Sequence, residues 1–225
     1  MHHQYEQASI QQASNRLSWL CWPLTIILAG LLVYQAQMTI NIIGLYPPNA
    51  PISADWLTQT FIPGLSLGLA EWIALWLITR SPRHHWGIIG VTLASYLVTA
   101  PFTPDAHNFS NALIPFYSGH TARVMLLNAV MIGLLRWGTL ALLQALFLPL
   151  MLRIRWQYAL LWLLVGALAG MVAPAIGVLT ALSLHISSID LLATLAAYSI
   201  YGFMTGLPLL WLIPHSMSRL DALRR

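Results

Sequence analysis

GLAEWIALWLITRSPRHHW, residues 68–86, contains the end of one apolar run, a short arginine-rich turn and the start of a second apolar run at Trp86. The first run holds a single carboxylate, Glu71, and stops at Arg80. A bilayer core of roughly 30 Å is crossed by about 20 apolar residues in a helix. Two such runs joined by a charged turn predict a transmembrane hairpin.

The composition of the whole chain agrees with that hairpin. Of 225 residues, 58% are hydrophobic and 7% are charged, whereas a soluble domain is about one quarter charged. The ten basic residues are all arginine and form no patch interleaved with aromatic residues, so we expect no nucleic-acid partner. Cys21 is the single cysteine, which excludes an internal disulfide and a cysteine metal cluster. The sequence indicates no metal site and does not identify a cofactor.

Apolar windows predict an all-α integral membrane bundle of six transmembrane helices. A polar N-terminal tail (1–16) and a basic C-terminal tail (215–225) flank a transmembrane domain (17–214). The third window is short, so we expect interfacial residues beside it or a thinned bilayer. The fourth is too long, which predicts a break near Arg136 and Gly138, or a first half that lies along the interface. The six windows are residues 17–38, 61–79, 86–100, 124–152, 156–182 and 191–214.

Arginine placement predicts the orientation of the bundle. Eight of the ten arginines lie in the tails or in the loops after the second and fourth windows, which fall on one side of the membrane. The positive-inside rule makes that side cytoplasmic, with both termini inside. Tryptophans near the window ends indicate interfacial anchors. The eight arginines are Arg16, Arg80, Arg83, Arg153, Arg155, Arg219, Arg224 and Arg225, and the tryptophans are Trp19, Trp22, Trp86 and Trp156.

A step from a small residue to a polar residue three positions later recurs in each even-numbered window. This recurrence predicts three hairpin repeats arranged around a bundle. Small residues at helical spacing, such as Gly166 and Gly170, also predict close approach of helix backbones. The three steps run from Gly68 to Glu71, from Ala141 to Gln144 and from Gly202 to Thr205.

The motif of a small residue, Gln or Glu, Trp, an apolar run, Arg and a Trp that opens the next span resembles a group of uncharacterised polytopic membrane proteins common in phototrophic bacteria. Their C-terminal segment is similar to AAYSIYGFMTGLPLLWLI, residues 196–213. The resemblance covers most of residues 61–213, with Ala145 in place of the second Trp. It implies kinship of fold and a multi-pass protein of the inner membrane, without an established activity, and it leaves a pigment-associated subunit open.

Glu71, Gln144 and Arg136 are the polar side chains expected within the membrane. Glu71 lies about nine residues, or roughly 13 Å, from Arg80, which is near the midplane. An ionised carboxylate there costs several kcal/mol unless it is paired, protonated or in contact with water. Glu71 therefore indicates either a proton, cation or ligand site or a hydrogen bond between helices. Arg136 is its candidate partner although it lies about 12 Å nearer the outer face, and Asp190 is an alternative partner for Arg136.

Two polar segments open the fourth and sixth windows on the outer face, SGHT at residues 118–121 and HISSID at residues 185–190. They resemble two motifs of the type 2 phosphatidic acid phosphatase superfamily, which includes the sphingomyelin synthases. The resemblance implies phosphoryl transfer by a nucleophile His185 oriented by Asp190, with His120 as the acid and Arg123 holding the phosphate. The spacing from His185 to Asp190 is one residue longer than in that superfamily. Helix capping by polar residues at the starts of the spans stays open as the alternative.

These observations predict a non-enzymatic membrane protein, either a small-ligand-binding or transport-related bundle or an accessory subunit of a larger membrane complex. A nucleotide-binding loop and dense metal ligands are absent from the sequence. The alternative is a lipid phosphatase or phosphotransferase with the outward-facing histidines. We expect membrane lipids and other membrane protein subunits as partners.

Overall fold

Six helical rods make up the part of the protein that the structure, a computed structural model, describes: residues 19–43, 60–79, 85–102, 121–152, 155–183 and 191–223. The third rod ends in the 3₁₀ turn Ala100–Phe102, and a π-helical turn, Leu134–Gly138, joins the two halves of the fourth. These ranges contain no β-strand. The α-helices are α1 (Cys21–Ile43), α2 (Ile62–Thr79), α3 (Gly87–Thr99), α4 (Thr121–Gly133), α5 (Thr139–Leu152), α6 (Trp156–Ser183) and α7 (Leu191–Leu223).

Four of the rods are long and apolar enough to cross a membrane, and two are shorter apolar helices. The prediction of an all-helical chain with membrane-capable helices is therefore confirmed. The fourth window forms one continuous helical segment, Arg123–Leu150, and a π-helical turn, Leu134–Gly138, lies at the place where a break was expected. The four long segments are Cys21–Thr39, Arg123–Leu150, Trp156–Thr180 and Leu191–Leu209, and the shorter ones are Ile62–Ile78 and Gly87–Phe102.

Two helices continue past the ends that hydropathy predicts for them. α1 reaches Ile43 instead of 38, and α7 reaches Leu223 instead of 214. Hydropathy windows stop at polar residues, but polar residues such as Gln, Asn and Ser interrupt a helix far less than Gly or Pro does. The helical structure therefore extends beyond the apolar segment in both places.

Each rod packs on its neighbours in sequence, and the last rod packs on the first. α1 contacts α2, α2 contacts α3, and α3 contacts α5. α6 lies against α4, α5 and the π-helical turn on one side and against α7 on the other, and α7 returns to α1. The six rods thus form a closed ring around a common interior.

The outward face of the ring is as apolar as its interior. On α1, Trp22, Ile26 and Ala29 are buried at helical spacing, whereas the opposite face exposes 57% of Leu24 and 56% of Leu28. A helix that is apolar on both faces is typical of a membrane span. Trp22 is fully buried, so its prediction as an interfacial anchor is wrong, because α1 turns this side chain towards the ring interior.

Small residues bring α6 close to the fourth rod. A Cβ atom added to Gly166 would meet Ala141 Cβ at 2.5 Å, and one added to Gly170 would meet Trp137 Cβ at 2.9 Å. Gly133 lies directly against the backbone of Gly170. The close backbone approach predicted from Gly166 and Gly170 is therefore confirmed.

Candidate functional site: a buried carboxyl cluster

A set of four side chains from four different helices meets inside the ring, and we call it the Glu71 cluster. It consists of Glu71 on α2, Thr92 on α3, Gln144 on α5 and Trp162 on α6. Glu71, Thr92 and Gln144 have no exposed surface, and Trp162 is 1% exposed. A polar group buried this completely is stable only if its hydrogen bonds are made inside the protein.

Hydrogen bonds connect every member of the Glu71 cluster. Thr92 Oγ1 donates to Glu71 Oε2 at 2.5 Å, and Gln144 Nε2 donates to both carboxyl oxygens of Glu71 at 2.8 Å. Gln144 Nε2 also lies 3.3 Å from Thr92 Oγ1. Trp162 Nε1 donates to Gln144 Oε1 at 3.1 Å. The direct partners of the carboxyl group are therefore all uncharged.

Trp162 determines which way the amide of Gln144 points. An indole N–H can only donate a hydrogen bond, so the atom of Gln144 that faces it must be the carbonyl oxygen. The amide NH₂ group then has to face Glu71. Trp162 thus orients the hydrogen-bond donor that serves the carboxyl group although it does not contact that group itself.

A second polar set lies one helical turn from Thr92 on α3 and two turns from Gln144 on the fourth rod, and it includes a residue of α7; we call it the tyrosine–arginine cluster. It consists of Tyr96, Arg136, Trp137 and Tyr198. Trp137 Nε1 donates to Tyr96 Oη at 3.1 Å, and Tyr96 and Tyr198 are hydrogen-bonded to each other. Arg136 is within electrostatic range of both tyrosines. The π-helical turn carries Arg136 and Trp137 into this cluster.

Aromatic rings connect the two clusters and close the ring at α1. The rings of Trp137 and Tyr201 have centroids 4.3 Å apart, and Tyr201 lies within electrostatic range of Glu71. On the other side of the interior, Trp22 and Trp162 pack edge to face at 5.6 Å. Trp22 Nε1 donates to Thr205 Oγ1 at 3.0 Å. The buried polar groups thus extend from α2 across α5 and α6 to α1 and α7.

The structure brings together two of the three polar residues that sequence places within the membrane. Glu71 and Gln144 bond directly. Arg136, the candidate partner of Glu71, lies instead beside Tyr96 and Tyr198, so the pairing of Arg136 with Glu71 is wrong. Gln144 and Thr92 occupy the carboxyl oxygens, and Arg136 is eight residues, about 12 Å along a helix, from Gln144.

The histidine site predicted on the outer face lies almost wholly outside the described residues. His120, His185 and Asp190 are not among them. Arg123 is described and lies exposed near the start of α4. Within the described ranges, no group of three His, Cys, Asp or Glu side chains could hold a metal ion.

Four uncharged members of the two clusters were not predicted from the sequence. Thr92 and Trp162 on one side, and Tyr96 and Tyr198 on the other, count as neutral or apolar on hydropathy scales. Only on α3 does the sequence contain a pattern that could have indicated two of them: Thr92 and Tyr96 are four residues apart and therefore lie on one face of the helix. Nothing in the sequence of α6 distinguishes Trp162 from the other nine tryptophans.

Comparison with known proteins returned no relative. No protein-family model matches the chain, and no curated protein and no solved structure matches it either.

Proposed function

We propose that the six rods are six membrane spans in three hairpins, with both termini on the cytoplasmic side of an inner membrane. The closed ring and the apolar outward face support this proposal. α2 and α3 are the two short rods, and they lie next to each other. Their apolar residues, such as Leu77 at 46% and Val98 at 55% exposure, face outward like those of the longer rods.

The packing of the small residues supports the three hairpin repeats. In each even-numbered rod the small residue of the repeated step packs on the next odd-numbered rod around the ring. A Cβ atom added to Gly68 would meet Ile89 Cα at 3.0 Å, and one added to Gly202 would meet Pro23 Cα at 2.9 Å. The Cβ of Ala141 fills the same place against Gly166.

The polar residues of the repeated steps behave in the same way. Each bonds to a side chain on the next odd-numbered rod, and because the ring is closed the third step bonds to the first rod. The three pairs are Glu71 with Thr92, Gln144 with Trp162, and Thr205 with Trp22.

Within that architecture, the function we propose is that of a non-enzymatic accessory subunit that binds other membrane components through its lipid-facing outer surface. The observation that carries this proposal is that the buried polar groups of the repeats form hydrogen bonds with side chains of other rods in the interior of the ring. The face available to partners is therefore the apolar outer one. Lipids and a transmembrane helix of another subunit are the partners that such a face fits.

A groove between α6 and α7 is the place we assign to that partner helix. It has a volume of about 300 Å³ and an almost wholly apolar lining. Leu207, at 54% exposure, stands on its rim. The groove is lined by Leu161, Val165, Met204, Leu207 and Pro208.

Native mass spectrometry of the gently solubilised protein tests this function. We expect the chain to be released together with a second membrane protein in fixed ratio. Leu207→Trp, which fills the groove, should abolish the association, whereas Leu28→Trp on α1, where exposure is a matched 56%, should leave it intact. Recovery of the chain with lipids alone, or equal binding by both variants, would contradict the proposal.

A small-ligand-binding or transport-related role is the second candidate, and Glu71 favours it. An ionisable group inside a membrane span indicates a functional site by default. Glu71 fits that description, because it is fully buried and its bonded partners are uncharged.

A further inference from the structure

We propose that the Glu71 cluster is a proton-binding site, in which the Glu71 carboxyl takes up and releases a proton reversibly. The proposal names the ligand of the second candidate function, and it rests on the membrane placement proposed above. It stands on the geometry of four residues, Glu71, Thr92, Gln144 and Trp162.

The cluster donates hydrogen bonds that stabilise the ionised form of the Glu71 carboxyl group. Both oxygens of Glu71 accept from Gln144 Nε2, and Oε2 also accepts from Thr92 Oγ1. Trp162 keeps the amide in the donating orientation. Hydrogen bonds to the charged form of an acid favour that form.

The hydroxyl of Thr92 donates its hydrogen bond to Glu71 and not to a carbonyl oxygen of its own helix. Threonines elsewhere in these helices donate to the carbonyl oxygen four residues earlier, which is the common use of a helical threonine. Thr92 Oγ1 donates across to α2 instead. The threonines that bond within their own helix are Thr25, Thr39, Thr99, Thr180 and Thr205.

The same cluster can also form hydrogen bonds with the protonated form of the Glu71 carboxyl group. A protonated carboxyl is a donor through one oxygen and an acceptor through the other. Its proton would lie on Oε2 and be donated to Thr92 Oγ1, which accepts as well as donates. Gln144 Nε2 would continue to donate to Oε1. Both protonation states therefore keep hydrogen bonds to Thr92 and Gln144.

Burial and hydrogen bonding have opposite effects on the ionised and protonated forms of Glu71. Complete burial among uncharged partners penalises the carboxylate, because desolvation of a charge is unfavourable. The hydrogen bonds from Thr92 and Gln144 act in the opposite direction. A carboxyl group held between these opposing effects can bind and release a proton.

Few other titratable groups face this carboxyl from the helices around it. Tyr96 on α3 and Tyr201 on α7 are within electrostatic range of Glu71, and Arg136 acts on Tyr96 from further out. α5 carries no titratable residue within its bounds. The titratable residues of the described parts of α1 and the α6 rod are Cys21 and Tyr34, and Arg155 and Tyr158.

The composition of the chain permits a direct test, because Glu6 and Glu71 are its only glutamates. Protein labelled with ¹³C at the glutamate carboxyl and reconstituted in phosphatidylcholine nanodiscs should give two carboxyl resonances. Glu71→Gln should remove one and Glu6→Gln the other, which assigns both signals. The Glu6 signal serves as the internal comparison.

We expect the Glu71 resonance to move reversibly between the positions of an acid and a carboxylate over about pH 5 to 8, the range in which histidine titrates. A Glu71 signal that stays at one position throughout, either as acid or as carboxylate, would overturn the proposal. If cysteine labelling finds the six spans in the proposed topology and the Glu71 signal does not move, only the proton-binding site is wrong. If the labelling contradicts the six spans, the membrane placement is wrong as well.

Discussion

Gln144 connects a carboxyl group to an indole, and its loss removes a hydrogen-bond partner from each. In Gln144→Leu, Trp162 Nε1 loses its acceptor and Glu71 retains only Thr92. Each buried group left unpaired costs about 1–3 kcal/mol. We expect a clearly lower free energy of unfolding, measured by thermal or denaturant unfolding in a fixed detergent with tryptophan fluorescence.

Gln157→Leu is the matched control for that substitution, because Gln157 is exposed near the start of α6. It should change stability by much less. Equal stability of the two variants would show that the bonds of Gln144 do not hold the helices together.

At this scale the sequence predicted the charged member of the cluster better than the neutral ones. The cost of a carboxylate in an apolar run singles out Glu71, and the repeated step singles out Gln144. The contact of these two residues with each other was not predicted, because equivalence in a repeat does not say that two positions meet. Thr92 and Trp162 bear no charge, so their importance depends on neighbours that only the folded chain supplies.

Gly202 and Gly90 provide a test at the scale of packed helices. A Cβ atom added to Gly202 would lie 2.9 Å from Pro23 Cα on α1, whereas one added to Gly90 would meet nothing within 4 Å. Gly202→Ala should therefore separate α7 from α1 and destabilise the protein by about 1–3 kcal/mol.

Gly90→Ala is the control, because its methyl group has space and alanine is about 1 kcal/mol more favourable in a helix. It should leave the melting temperature unchanged or raise it. The same thermal unfolding series measures both variants. A neutral Gly202→Ala would show that α1 and α7 are not in close contact.

The two short rods provide a second test at this scale. α2 has 18 residues, about 27 Å of helix at 1.5 Å per residue, against a bilayer core of about 30 Å. A span shorter than the core thins the bilayer at a modest energetic cost. The melting temperature in phosphatidylcholine nanodiscs should therefore be highest with short acyl chains. A steady rise with chain length would contradict this expectation.

The π-helical turn in the fourth rod shows what sequence can predict about an element. The window was too long for one span, and Arg136 and Gly138 placed the irregularity correctly. The π-helical form itself was not predictable from length. Gly133 and Trp137, at the start of the turn and within it, contact Gly170 on α6, which is distant in sequence. π-helical turns are often found at functional sites, and this one carries Arg136 to the tyrosines.

At the scale of the whole molecule, hydropathy predicted the number of rods, and the structure describes their ring. Ring closure depends on α1 packing on α7, a contact between the two ends of the chain. Trp22, which sequence position alone had assigned to the interface, is buried there against Thr205 of α7 and Trp162 of α6. An apolar window records that a residue avoids water and carries no information on which neighbour surrounds it.

Single-cysteine labelling in intact cells or oriented vesicles tests the central claim, six spans with both termini inside, most directly. Cys21→Ser provides the background, because Cys21 is the only cysteine. A membrane-impermeant maleimide added from outside should label Asn108→Cys and Ser187→Cys, and should label Ser81→Cys and Arg153→Cys only after permeabilisation. Labelling of Ser81→Cys and Arg153→Cys from opposite sides of the membrane would contradict the account.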